Sequence, residues 1–118
     1  MGNKFKLSPE KIQRIESLEN KFGIEDMNIF AYLRDSNELV VNGEIYGKKL
    51  KDKIQMICSV YDNDGDIIAS SDDNYYSSGS VTNCIETWSF KGIFPFSIKV
   101  KIPEGQNIDR IRVYVKKF

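Results

Sequence analysis

The feature that most constrains the fold is a pair of apolar segments separated by a short acidic turn. Residues 60–68 read Val-Tyr-Asp-Asn-Asp-Gly-Asp-Ile-Ile, and Asp64-Gly65 supplies the positive φ angle that a tight hairpin requires. Before the turn, apolar and polar residues alternate, as in a strand that buries one face. The apolar residues of that face are Ile54, Met56, Cys58 and Val60. The sequence therefore predicts an antiparallel β-hairpin with an acidic tip.

Period-two patterns continue on both sides of this hairpin, and turn-forming residues separate them. The predicted strands are 27–34, 38–46, 53–62, 66–71, 83–91, 95–102 and 108–117. About seven short strands at this spacing predict a mostly-β fold, either a sandwich or a partly open barrel. A chain of 118 residues fits one domain, which we place over residues 1–118, with the β-structure over 27–117.

A helix is predicted before the strands, over residues 9–22. Ser8 is a favourable N-cap, Pro9 suits the first helical position, and Gly23 suits the end. Apolar residues recur at helical spacing, at Ile12, Ile15, Leu18 and Phe22. Several strands also carry apolar groups on the face away from the core, at Phe30, Tyr32, Val40 and Ile57. We therefore expect the helix to cover that second face.

The alternation also predicts which side chains form the central core. They are Leu39, Val41, Ile45, Cys84, Trp88, Phe90, Phe96, Ile98, Val100, Ile102, Ile111, Val113 and Val115. Cys58 and Cys84 both fall on apolar faces, which predicts two buried free thiols. A disulfide between them stays open only for an oxidising compartment.

The composition argues against catalysis. The chain has no histidine, which removes the commonest general base and the commonest metal ligand, and no cofactor fingerprint. Glu86 is the only carboxylate predicted beside Cys84 and Trp88, and we expect it to pair with a cation or to lie near a strand end. We expect no enzyme, no cofactor, no catalytic residue and no bound metal.

The acidic turn resembles a calcium loop only in composition. With Gly65 at the sixth position of an EF-hand loop, the first and twelfth positions are Val60 and Ser71, where carboxylates are required. Binding of Ca²⁺ by Asp62, Asp64 and Asp66 in another geometry is left open.

The charges are segregated along the chain. Seventeen basic and seventeen acidic residues balance, which disfavours nucleic acid or membrane as the main partner. If strands 95–102 and 108–117 pair, their outward residues form one basic face. Its members are Lys99, Lys101, Arg110, Arg112, Tyr114 and Lys116. This face is the first candidate partner-binding site, for an acidic protein or, less favourably, nucleic acid.

The second candidate site is the loop at residues 72–79, Asp-Asp-Asn-Tyr-Tyr-Ser-Ser-Gly. Adjacent Tyr75 and Tyr76 among small polar residues have the composition of recognition loops. The competing interpretation is that one tyrosine closes the end of the fold and the other is merely exposed.

Two segments together resemble the FxLYD-type domains of bacteria. They are Val41-Asn42-Gly43-Glu44-Ile45 and Val60-Tyr61-Asp62-x-x-Gly65-x-Ile67-Ile68, and a Trp/Phe-containing segment follows them, so that the resemblance spans roughly residues 38–102. It implies an antiparallel immunoglobulin-like β-sandwich without catalytic activity. Two features depart from the family: its members usually follow a signal or lipid anchor, and the N-terminal helix is not part of their pattern.

The preferred functional hypothesis is a non-catalytic module for protein interaction, self-association included. The alternative is a module that binds a glycan or nucleic acid through Tyr75 and Tyr76 or through the basic hairpin. The N-terminus has no apolar run typical of a signal peptide, so a cytoplasmic protein is expected, with secretion left open for a mature fragment.

Overall fold

A computed structural model describes residues 5–34, 37–71 and 84–118 of the chain. Within these ranges strands dominate, and one short helix, α1, spans Glu16–Phe22. The strands are β1 Phe5–Lys6, β2 Ile12–Arg14, β3 Asp26–Arg34, β4 Glu38–Tyr46, β5 Ile54–Tyr61, β6 Ile67–Ser70, β7 Cys84–Ile85, β8 Ile93–Lys101 and β9 Arg110–Lys117.

The strands form two sheets. Sheet A has the order β1-β3-β4-β8, and sheet B has the order β2-β9-β5-β6, with β7 also paired with β5. All these pairs are antiparallel except β2 with β9, which run parallel. The prediction of a mostly-β, largely antiparallel fold with one helix is confirmed.

The inner faces of the two sheets share one apolar core. Leu39, Val41 and Ile98 from sheet A belong to the same buried cluster as Met56 and Val113 from sheet B. The alternation of β4, β8 and β9 thus predicted their inward residues correctly, because a strand with one buried face must place every second side chain in the core.

The central hairpin is confirmed. β5 and β6 pair antiparallel on either side of the acidic turn, with a shift of register between Val60 and Tyr61. Gly65 has a φ of 84° at the tip. The Asp62 carboxylate accepts hydrogen bonds from the backbone N–H groups of Asp64 and Asp66, at 2.9 and 3.0 Å, which fixes the turn.

The N-terminal helix is much shorter than predicted. Residues 9–22 divide into a 3₁₀ turn at Pro9–Lys11, strand β2 and helix α1. Strand β2 forms because the backbone of Ile12–Arg14 pairs with the edge of β9, and this long-range pairing outweighs the local helical spacing. Only the predicted end is correct: Gly23 terminates α1 in a left-handed conformation.

The predicted position of the helix is also wrong. Phe22 of α1 lies in the core shared by the two sheets, and Leu18 packs against that core. The helix connects β2 of sheet B to β3 of sheet A and contributes to the core between the sheets rather than covering an outer face. Phe30, which the helix was expected to cover, is 49 % exposed.

The strand predicted over residues 83–91 is wrong for most of the part that the structure describes, residues 84–91. Only Cys84–Ile85 pairs with β5, and a 3₁₀ turn follows at Thr87–Ser89. The Ser89 N–H and hydroxyl both donate to the Glu86 carbonyl, at 3.1 and 3.0 Å. This turn directs Trp88 outward, where it is 73 % exposed, so its predicted place in the core is wrong.

The predicted pairing of residues 95–102 with 108–117 is wrong. Strand β8 lies at the edge of sheet A beside β4, whereas β9 lies inside sheet B between β2 and β5. The two strands are consecutive in the chain but belong to different sheets.

In the part of the chain that is described, no helix is long and apolar enough to cross a membrane.

Candidate functional site: a groove on the outer face of sheet A

A groove of about 640 Å³ lies on the outer face of sheet A, across β3, β4 and β8. Its volume falls in the range of small-molecule binding sites. The residues that line it are Asn28, Phe30, Asn42, Gly43, Glu44, Pro95, Phe96 and Ser97.

The strand register explains why these residues meet. Asn28, Glu44 and Pro95 stand opposite one another on three neighbouring strands, and Phe30, Asn42 and Ser97 form the next row on the same face. The two rows are about 7 Å apart along the strands, and each row spans about 10 Å across them. Residues distant in sequence therefore form one compact site.

Gly43 stands opposite Phe96 on the core side of β4 and leaves room for the Phe96 ring. A Cβ atom at this position would lie 2.6 Å from Cζ of Phe96, so the aromatic ring occupies the space that a side chain would need. With no side chain at Gly43, the Phe96 ring reaches the groove from the core side.

The polar side chains of the groove hold one another in place. Ser97 Oγ donates to Asn42 Oδ1 at 2.7 Å. Asn28 Nδ2 donates to the Tyr46 hydroxyl at 2.8 Å, and that hydroxyl donates to Glu44 Oε1 at 2.7 Å. The hydrogen bond to the Glu44 carboxylate is the main cause that raises the pKa of Tyr46.

These internal hydrogen bonds leave several groups available to a ligand. Within the described ranges, three side-chain atoms of the groove have no hydrogen-bond partner in the protein. They are Nδ2 of Asn42, Oδ1 of Asn28 and Oε2 of Glu44. The half-exposed ring of Phe30 borders them. The groove therefore offers donors, acceptors and one apolar surface within a small area.

The basic residues predicted to share one face are divided between the two sheets. Lys99 and Lys101 lie on the outer side of sheet A, opposite Val40 and Glu38 of β4. The residues of β9 belong to sheet B. They are Arg110, Arg112, Tyr114 and Lys116. Because the inner faces of the sheets face each other across the core, these two groups point to opposite sides of the molecule.

The arginines of β9 have local contacts on sheet B. The guanidinium groups of Arg110 and Arg112 lie 5.2 and 5.6 Å from the centre of the Tyr61 ring. Arg110 also pairs with Asp109 at 3.1 Å, and Arg112 donates to Gln13 at 3.4 Å.

Tyr75 and Tyr76 lie outside the described residues, so the role of their loop as a binding site remains a prediction.

The acidic turn brings three carboxylates together. One oxygen from each of Asp62, Asp64 and Asp66 lies within 4.8 Å of the others. Asp62 already accepts two backbone hydrogen bonds that shape the turn. The arrangement accounts for a folded hairpin tip, and Ca²⁺ binding there stays a prediction.

The two cysteines differ in burial. Cys58 is fully buried in the core, and burial raises its pKa to about 12. Cys84 is only half-buried, so its predicted burial is wrong; burial still raises its pKa above the usual value. Glu86 forms an ion pair with Lys53, with N and O 3.0 Å apart, as the simpler interpretation of that residue anticipated.

One residue of the groove carries a signal in the sequence. The alternation of β3 predicts that Phe30 is an apolar residue on the outer face, and the structure places it at the groove instead of against the helix. Asn28, Asn42, Glu44 and Ser97 alternate with core residues, which is the ordinary pattern of solvent-facing positions. Only the order of β3, β4 and β8 in sheet A brings them together.

Comparisons with protein-family models, with curated proteins and with solved structures found no match to this chain.

Proposed function

We propose that the protein is a non-catalytic recognition module whose binding surface is the outer face of sheet A. The observation that carries this proposal is the groove of about 640 Å³, lined by side chains that are already held by hydrogen bonds. A preorganised site loses less side-chain freedom when a ligand binds, which favours affinity.

The site has the parts of a recognition surface and not those of a catalytic centre. One oxygen of its carboxylate, that of Glu44, accepts from the Tyr46 hydroxyl, and no cysteine, serine–base pair or cationic side chain lines the described groove. The aromatic ring with surrounding amides instead resembles surfaces where rigid rings supply area and amides supply hydrogen bonds.

This proposal retains the module predicted from sequence but changes its surface. The single basic face on β8 and β9 is not proposed again, because the two strands lie in different sheets. The kinship with FxLYD-type domains and an immunoglobulin-like arrangement remains a further proposal. It is supported by the Tyr61-Asp62-x-x-Gly65 turn and by two antiparallel-dominated sheets around one core.

The experiment is a fragment screen by NMR, with ¹⁵N-labelled protein and a library of small polar and aromatic compounds. We expect shift changes to concentrate on backbone amides of β3, β4 and β8 around the groove. Ser97→Arg should abolish these responses by filling the groove. Asn107→Arg adds the same side chain at an exposed loop position and should leave them unchanged.

The opposite result would be equally clear. Fragments that bind mainly to the outer face of sheet B, or responses that survive Ser97→Arg in full, would show that the groove is not the recognition surface.

A further inference from the structure

We propose that the groove on sheet A binds an uncharged oligosaccharide, with one sugar ring stacked on Phe30 and its hydroxyls bonded to the surrounding amides. This inference rests on the proposed function and names its ligand class. It is argued from the chemical groups that the groove presents, from their spacing and from the charges around it.

The groove has an exposed aromatic ring, that of Phe30. Phe30 is 49 % exposed in the middle of a nine-residue strand, among side chains that are mostly polar. Unlike other exposed apolar side chains of the described residues, Phe30 borders a groove, where an aromatic ring offers a ligand a large and rigid contact surface. A pyranose ring has one face of C–H groups that can lie flat on it, while its hydroxyls project around the rim.

Polar side chains surround this ring and offer both hydrogen-bond donors and acceptors. Asn42 has amide hydrogens to donate, Asn28 has a carbonyl oxygen to accept, and Glu44 has a second carboxylate oxygen to accept. A sugar hydroxyl both donates and accepts, so it can use either kind of group. Ser97 and Tyr46 orient these side chains in advance, which reduces the entropy lost on binding.

The lining of the groove carries little charge. No lysine or arginine lines the groove in the described structure, and its one ionised side chain is the Glu44 carboxylate. Phosphate-bearing nucleic acids and acidic peptides would therefore meet this carboxylate inside the groove, whereas Lys99 lies outside the lining, in the next row of the same sheet face beyond Ser97. An uncharged, hydroxyl-rich ligand avoids that repulsion and satisfies the amides.

The lining also favours a sugar over a proline-rich peptide. Such peptides dock between several aromatic rings that form parallel ridges. Here Phe30 is the exposed ring at the groove, Phe96 reaches it from the core side, and Pro95 adds one more apolar group beside four polar side chains, those of Asn28, Asn42, Glu44 and Ser97. With rows about 7 Å apart and about 10 Å wide, the groove suits a short sugar chain.

The experiment titrates the ¹⁵N-labelled chain of residues 1–118 with cellotriose, xylotriose, maltotriose, laminaritriose and chitotriose, each up to its solubility limit. We expect saturable shift changes at the amides of Asn28, Asn42, Gly43 and Ser97 with at least one sugar. Raising the salt concentration should leave the affinity unchanged, because no phosphate or ion pair contributes.

The variants separate stacking from general hydrophobicity. Phe30→Ala should weaken binding about tenfold, which corresponds to about 1.4 kcal/mol, because it removes the aromatic contact surface. Phe30→Leu should also weaken it, whereas Phe30→Trp should preserve it. The matched control is Phe118→Ala, which removes an equally exposed ring, 50 % accessible, at the end of β9 in sheet B.

Each result has a defined meaning. Phe30→Leu binding as tightly as wild type would overturn ring stacking. If no sugar of the panel shifts the groove amides while fragments or a proline-rich peptide do, the glycan proposal is wrong and the recognition surface stands. If neither sugars nor fragments bind in the groove, both proposals fail.

Discussion

At the scale of single residues, the two cysteines illustrate how face and burial set reactivity. Cys58 points into the core with Met56 and Val60, whereas Cys84 stands opposite Gln55, on the outer face of sheet B. The two sulfur atoms are therefore on opposite sides of the sheet, and a disulfide between them is incompatible with this geometry. The raised pKa of Cys58 also keeps its thiol protonated at neutral pH.

We predict that native protein treated with iodoacetamide at pH 8 is alkylated at Cys84 well before Cys58. A pKa of about 12 in place of 9 lowers the thiolate fraction of Cys58 about a thousandfold, and burial removes access as well. Peptide mass spectrometry with and without denaturant measures both rates. Cys84→Ser is the control that isolates Cys58, and rapid native labelling of that variant would contradict the prediction.

The same shift has a consequence for stability at high pH. The pKa of Cys58 is higher in the folded protein than in the unfolded chain, so the neutral thiol stabilises the fold fully only below the unfolded value. As pH rises from about 9 towards 12, ionisation of the thiol lowers the free energy of the unfolded state, so the free energy of unfolding decreases. Cys58→Ala should remove this part of the alkaline dependence.

At the scale of elements, the joint between β2 and α1 depends on one ion pair. Arg14 donates through Nε and Nη2 to the two oxygens of Glu19, at 3.1 and 2.6 Å, and through Nη1 to the carbonyl of Met27 at 3.3 Å. Glu19 is almost fully buried, whereas Arg14 keeps some access to water. The pair therefore connects β2, α1 and β3.

We predict that Arg14→Met costs about 3–5 kcal/mol of unfolding free energy, because it leaves the Glu19 carboxylate buried without a partner. Glu19→Gln should cost less, since Arg14 can turn towards water. The Arg14→Met/Glu19→Leu double variant should recover part of the loss. Urea unfolding followed by circular dichroism measures all three, and equal costs for the two single variants would contradict this account.

The end of α1 gives a second prediction for an element. Gly23 has a φ of 94°, and a side chain there would collide with the backbone carbonyl of Lys49. Gly23→Ala should therefore cost more than the ~1–2 kcal/mol of a left-handed alanine alone. Gly105→Ala is the matched control, because its φ is 83° but no atom lies within 4 Å of the added methyl. Similar thermal unfolding midpoints for both variants would refute the steric part.

At the scale of the whole molecule, the separation of β8 and β9 decides how the surface charges behave. Lys99 lies outward on sheet A and Arg112 outward on sheet B, with the common core between them. Charges held apart beyond a Debye length of ~8 Å interact little at physiological salt.

We predict that Lys99→Glu and Arg112→Glu have additive effects on stability, with a coupling energy within about 0.5 kcal/mol of zero. A double-mutant cycle by chemical unfolding measures this coupling. Lys99→Glu paired with Glu38→Lys serves as the positive control, since both positions lie on neighbouring strands of one sheet face. A coupling above about 1 kcal/mol between Lys99 and Arg112 would mean that the two side chains do share a surface.

The sequence predicted the strands far better than their arrangement. The bounds of β4 were predicted to the residue, and those of β3, β5, β6, β8 and β9 to within two residues at each end. The helix predicted over residues 9–15 is wrong because helical and strand spacing cannot be told apart over so few positions, and pairing with β9 favours a strand there. The strand predicted beyond β7 is wrong because apolar alternation does not show whether Trp88 contacts the core or water.

What the sequence by itself determined is therefore local: which faces of most strands are apolar, where Asp64-Gly65 forms a hairpin, and where Gly23 ends a helix. These follow from the period of two and from the φ angles that each residue permits. Only the tertiary structure decided that β8 joins β4 while β9 joins β5, because hydrogen bonds between strands depend on which backbone edges meet. That choice separated Lys99 from Arg112, and it brought Asn28, Asn42 and Ser97 together beside Phe30.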